Sequence, residues 1–145
     1  MTALATESRS LLHPALVGAG ATLLIAAFAS DFMYARTLLF QWNNISIWLL
    51  TSGLVIAALA ALALLLDVAS QHLAALAWRR FSGFAVAVLI SILNAFVHSR
   101  DAYTAVVPDG IELSAVAAVI LIILGMHGWS LRAAVPSTFS TEISR

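Results

Sequence analysis

Four windows without a formal charge decide what this chain can fold into. They run from Leu11 to Ser30, within Thr37 to Leu66, from Phe81 to Ser99 and from Leu113 to Leu131. Arg9 and Asp31, then Asp67, Arg80 and Arg100, then Glu112 and Arg132 fence them. A helix rises about 1.5 Å per residue, so roughly 20 apolar residues cross the hydrocarbon of a bilayer. Each window is long enough to hold such a span.

Composition points the same way. Of the 145 residues, 62% are hydrophobic and only 10% charged, where soluble domains carry about a quarter charged. A soluble chain of this size has too little interior to hide that much apolar surface. In a bilayer the lipid solvates it. The reading is an all-α membrane protein, an antiparallel four-transmembrane-helix bundle with helices at about 12–33, 45–66, 81–99 and 112–132. Connections at about Asp31–Asn44, Asp67–Arg80 and Arg100–Glu112 are short, which makes consecutive helices antiparallel. Residues 1–145 read as one transmembrane domain, with the Ser- and Thr-rich tail at 136–145 as a flexible end. Ala27-Phe28-Ala29 matches a signal-peptide cleavage pattern, but Glu7 cancels Arg9 ahead of it, so the first helix is expected to be retained.

Arginine placement orients the bundle. Arg9, Arg79, Arg80, Arg132 and Arg145 fall on one side, Arg36 and Arg100 on the other. The positive-inside rule then puts both termini in the cytoplasm. Tyr34, Phe40, Trp42, Trp48 and Tyr103 mark the outer boundary, and Trp78, Phe81 and Trp129 the inner one. Small residues recur every four positions at Gly18, Thr22, Ala26 and Ser30, at Gly53, Ala57 and Ala61, and at Gly83, Ala87, Ser91 and Ala95. Such stripes let helices approach closely in lipid. The lipid bilayer is the first partner, and a homo-oligomer is compatible with the stripes.

Several chemistries are excluded. Zero net charge and the lack of a basic run argue against nucleic acid. With no cysteine there is no disulfide, thiolate metal site or cysteine nucleophile, and with no lysine there is no Schiff base or P-loop. No Ser, His and carboxylate share a motif, so no catalytic residue is assigned.

Polar groups inside a span are costly and mark candidate sites. On the inner side, His13 opens the first helix before Pro14, and His127 lies about one turn from the end of the fourth. Antiparallel helices bring these two into one layer. Two facing imidazoles can hold a haem iron, which makes His13 and His127 candidate ligands of haem b. The simpler arrangement has His13 meeting water and His127 bonding a backbone carbonyl or Asp67. On the outer side, Asn94, His98 and Asp101 share a helix face. Asp31, Arg36, Arg100, Asp109 and Glu112 lie in the same layer. His98, Asp101 and Asp31 would suit a divalent metal. Wetted salt bridges, such as Asp31 with Arg100 or Arg36 with Asp101, are the simpler arrangement there. The mid-span polar residues Thr22, Thr51, Ser52, Ser91 and Asn94 do not titrate near neutral pH, so the bundle centre reads as closed to protons.

His13-Pro14, Asp67 closing the second span, Asn94 with Arg100 ending the third, and Gly125-x-x-Gly128-x-x-Leu131 form an ordered set over Leu12 to Ala133. This set resembles the bacterial four-pass membrane proteins of the domain-of-unknown-function 2231 family. The resemblance implies a multi-pass protein of the bacterial inner membrane. Some members are fused to Rieske-type iron–sulfur domains, which implies membrane electron transfer and b-type haem, with a redox protein or another membrane subunit as partner. It matches His13 to the family's opening histidine, Asp67 to its acidic residue and Arg100 to its third-helix arginine. The chain departs from the pattern at Phe81-Ser82-Gly83 and Arg132-Ala133-Ala134, where members often carry histidine, and at His127, where they usually carry an apolar residue. Three readings follow: an anchor or electron-transfer subunit, a cofactor-free assembly protein, and a small transporter or metal-binding protein using the outer polar cap.

Overall fold

The computed structural model describes residues 14–69, 75–100 and 106–133. They form four long helices: α1 Pro14–Thr37, α2 Phe40–Ala69, α3 Ala75–His98 and α4 Asp109–Ala133. The described residues contain no strand. Pro14 is the first residue of α1, where its missing N–H and fixed φ cost nothing. Asp109 and Glu112 sit in the first turn of α4, where negative charge meets the positive end of the helix dipole.

Each helix packs along a seam of buried residues spaced alternately three and four apart. The seam is Gly20, Leu24, Ala27, Asp31 and Tyr34 in α1, and Asn43, Ser46, Leu50, Gly53, Ala57 and Ala60 in α2. In α3 it is Phe84, Ala87, Ser91, Asn94 and His98, and in α4 Gly110, Ser114, Ala117 and Leu121. This is the spacing of left-handed helix bundles, in which a seam stays aimed at its neighbours. α1 packs on α2 and α4, and α3 packs on α4 and α2, which closes a ring. Ser30 reaches Trp42 and Ala27 reaches Ser46 across α1 and α2, so that pair is antiparallel. A Cβ on Gly83 would lie 2.9 Å from Leu124 Cδ2, and Arg100 reaches Asp109, so α3 and α4 are antiparallel too.

The outward surface is apolar. Val55, Leu59, Leu62, Leu89, Leu93, Phe96, Val119, Ile122 and Met126 are exposed, while Asp31, Asn43, Ser46, Asn94 and His98 are buried. Water would not tolerate that arrangement and lipid requires it. Ala15–Thr37, Phe40–Ala63 and Asp109–His127 are long and apolar enough to cross a bilayer, and α3 contributes a shorter apolar stretch, Ser82–His98. The chain is therefore a helical membrane bundle.

Two local features depart from the sequence reading. The connection placed at Asp31–Asn44 shrinks to Leu38 and Leu39, because α1 continues to Thr37 and α2 begins at Phe40. Leu38 makes the turn with φ of 56°, and its N–H bonds the Tyr34 carbonyl at 2.7 Å. That left-handed closure ends a helix even without glycine. In α1 the small stripe at Gly18 and Thr22 faces outward, and Gly20 makes the close approach to Gly53 and Ala57 instead. The stripe positions Gly53 and Ala57 in α2, and Ala87 and Ser91 in α3, do face inward.

Candidate functional site

Following the seams toward the Leu38–Leu39 turn, hereafter the upper end, their chemistry changes. The lower seam is Leu24, Ala27, Leu50, Ala57, Phe84, Ala87 and Leu121, with Val17, Ile25, Leu54 and Val88 packed around it. The next positions upward on the same seams are Asp31, Ser46, Asn43, Asn94 and His98. A second apolar cluster closes above them, with Tyr34 and Val106 fully covered and Trp42, Val107 and Ile111 packed against them. A polar layer is thus held between two apolar ones.

The layer centres on Asp31 and His98. His98 Nε2 lies 3.0 Å from Asp31 Oδ1, and the two side chains are 2% and 0% exposed. His98 Nδ1 faces the Asn94 carbonyl at 3.1 Å and the Asn94 side-chain Oδ1 at 3.2 Å. Both neighbours are oxygens that can only accept, so Nδ1 carries a proton and donates it. The Ser46 hydroxyl donates to the Ala27 carbonyl at 3.3 Å and lies 3.5 Å from Nε2. With the Nδ1 proton fixed, one further proton belongs between Nε2 and Asp31 Oδ1. Either imidazolium donates to carboxylate, or carboxylic acid donates to neutral imidazole. Without that proton, two lone pairs would face each other and a net negative charge would sit in a dry interior.

Asp31 and Asn43 lie within one turn of each other. Across the antiparallel α1–α2 pair, Ala27 stands opposite Ser46 and Ser30 opposite Trp42. Asp31 is one residue above Ser30, and Asn43 one residue below Trp42. Three buried atoms here have no hydrogen-bond partner among the described residues: Asp31 Oδ2, Asn43 Oδ1 and Asn94 Nδ2. Orphaned polar atoms are uncommon in dry interiors because each costs about 1–3 kcal/mol.

The remaining candidates resolve differently. Asp31 does not bridge Arg100. Arg100 pairs with Asp109 at 3.0 Å on the exposed surface, because it lies beyond the end of α3 and reaches the start of α4. Arg36 stands over the Phe32 ring, 5.7 Å from its centroid. Asp31 is not wetted either, since it points along the buried seam of α1 rather than into a loop. Asp101, the third residue of the suggested metal set, lies outside the described residues, as do His13 and the tail at 136–145. Asp67 belongs to α2. His127 is exposed, and its Nδ1–H donates to the Ile123 carbonyl at 2.9 Å. The signal that sequence reading missed was periodicity. Asp31, Asn43 and Ser46 extend the three–four spacing of Leu24, Leu50 and Ala57, which marks them as inward-facing.

Comparison with known proteins gives one result. The family model described as a predicted membrane protein family, DUF2231, matches residues 9–136, and the chain belongs to that family. Neither the curated proteins nor the solved structures contain a match.

Proposed function

We propose that this DUF2231 membrane protein serves as a membrane-embedded subunit whose working element is a single proton shared by Asp31 and His98. The observation that carries the reading is the 3.0 Å contact between two fully covered titratable groups, with the far side of the imidazole locked by Asn94. With the Nδ1 proton in place, one proton held between the two groups keeps the layer neutral. Among the described residues, no other charged group pairs with it. On α1, Tyr34 lies one turn above and Arg36 is exposed. On α2 the neighbours, Asn43 and Ser46, do not titrate. On α4, Asp109 and Glu112 are exposed at the helix start. Infrared difference spectra across a pH change test the reading. The carboxyl band of Asp31 and the imidazole bands of His98 are expected to change together, and both changes vanish in Asp31→Asn and in His98→Gln. An Asp31 band that titrates unaltered in His98→Gln would show that the proton is not shared.

A second reading rests on His127, an electron-transfer or anchor subunit that holds haem b with His13 and acts with a redox partner. Ligating histidines characteristically give their other ring proton to a carbonyl or carboxylate, and His127 Nδ1 gives its proton to Ile123. α1 and α4 pack together antiparallel, which supports placing the start of α1 near His127. A haem bound there would supply one-electron transfer. Protein purified after expression with added haem is expected to show a Soret band that His127→Ala removes. Absence of the band in wild type would end this reading.

A further inference from the structure

The polar layer is not centred in the bundle. Asp31 lies six residues below Thr37 and seventeen above Pro14. At 1.5 Å per residue these are about 9 Å and about 25 Å of helix. Among the described residues, the shorter side is closed by Tyr34 and Val106 with their neighbours. The longer side is closed by the continuous apolar seam of Leu24, Ala27, Leu50, Ala57, Phe84, Ala87 and Leu121. Hydroxyls below the layer are already engaged or face outward. Ser91 donates to the Ala87 carbonyl at 2.9 Å and Thr22 to the Gly18 carbonyl at 2.8 Å. Thr51 and Ser52 are exposed on the outer face of α2. Among the described residues, Ser91 is the last buried hydroxyl below Asn94, and only apolar side chains follow it on the seams.

The orphaned atoms say what the layer takes up. Asp31 Oδ2 and Asn43 Oδ1 are acceptors within one turn of each other on the α1–α2 seam, and Asn94 Nδ2 is a donor on α3. Water offers two donors and two acceptors and is the smallest molecule able to satisfy such groups. Asn43 is the member of the layer nearest the upper end on α2, so it stands where water would enter.

From this we infer that the layer is a water-binding site that opens only toward the upper end, with Asn43 as its positioning residue. The shared proton then exchanges with one side of the membrane and is not carried across. This inference rests on the shared-proton reading for its function, but the site and its sidedness stand without it. A partner that uses the proton must dock at the upper end. The structure thus fits a local proton donor and acceptor for a neighbour, and does not fit a pump or channel.

The chain has no cysteine, which makes a labelling test clean. Asn43→Cys, Leu24→Cys and Ser91→Cys proteins in nanodiscs are treated with a small water-soluble methanethiosulfonate. Asn43→Cys is expected to react at least about tenfold faster than the other two, as buried apolar surroundings suppress the reactive thiolate. Equal rates at positions 43 and 91, or no reaction at position 43, would overturn the proposal. Because Asn43→Cys could disturb folding, wild-type protein in liposomes gives a second readout. Under an imposed pH gradient and potential, proton flux is expected to stay at the protein-free level. Flux that Asp31→Asn abolishes would overturn the sidedness. Neither readout depends on whether the Asp31–His98 pair titrates. Normal labelling with silent infrared spectra would therefore remove the proton reading and leave the hydrated site.

Discussion

The lower and upper halves of the bundle are built on the same seams and do opposite things with them. Leu24 and Asp31 are two turns apart on one face of α1, both buried. Leu50 and Ser46 likewise share one buried face of α2, and Phe84 and His98 one buried face of α3. The lower half gains from close packing, and a Cβ on Gly53 would already lie within 2.9 Å of Leu24 Cδ2. The upper half gives up packing for an ion-pair-competent dyad and leaves three polar atoms unmatched. In lipid there is no hydrophobic drive to pull helices together, so dispersion and interhelical hydrogen bonds decide which face turns inward. Either half meets that requirement, but only the upper half keeps chemistry available.

Four substitutions separate the two halves, in order of falling cost. His98→Leu leaves Asp31 covered and without its partner, and should cost about 3–5 kcal/mol, read by chemical unfolding in micelles. Leu50→Ala opens a cavity in the lower seam and should cost about 2–5 kcal/mol, without altering the infrared bands of the upper pair. Ser46→Ala removes a hydroxyl that bonds Ala27 and faces His98. It should cost about 1 kcal/mol and shift the imidazole bands, because Nε2 loses a neighbour. Arg100→Ala breaks a pair whose two side chains are more than half exposed, and should cost no more than about 1 kcal/mol. A large loss there would mean that the exposed cap, rather than the buried layer, ties the upper end together.

Much of the architecture was legible from the uncharged windows, since charge is what a span excludes. The polar layer was legible only in part. Asp31, Asn94, His98 and Arg100 were singled out by type and place, yet Asp31 was assigned to a connection. A carboxylate after an apolar run reads as a helix end, and only its position on the Leu24–Ala27 seam reveals that α1 passes through it. Asn43 was missed for the same reason, because it falls in a stretch read as a loop until α2 is seen to begin at Phe40. The pairing of His98 with Asp31 joins α3 to α1 across the bundle, 67 positions apart in the chain. Arg100 and Asp109, nine apart, were the nearer choice by sequence, and the exposed helix ends let them take each other.

A double-mutant cycle on Asp31 and His98 shows whether the two side chains act as one unit. Asp31→Leu and His98→Leu are each expected to destabilise the protein by about 3–5 kcal/mol, because each strands one polar partner in a dry interior. The double variant removes both partners and should recover most of that loss, giving a coupling energy of about 2 kcal/mol or more. Losses that simply add would show that the two side chains do not act as one unit, and the shared proton would go with them.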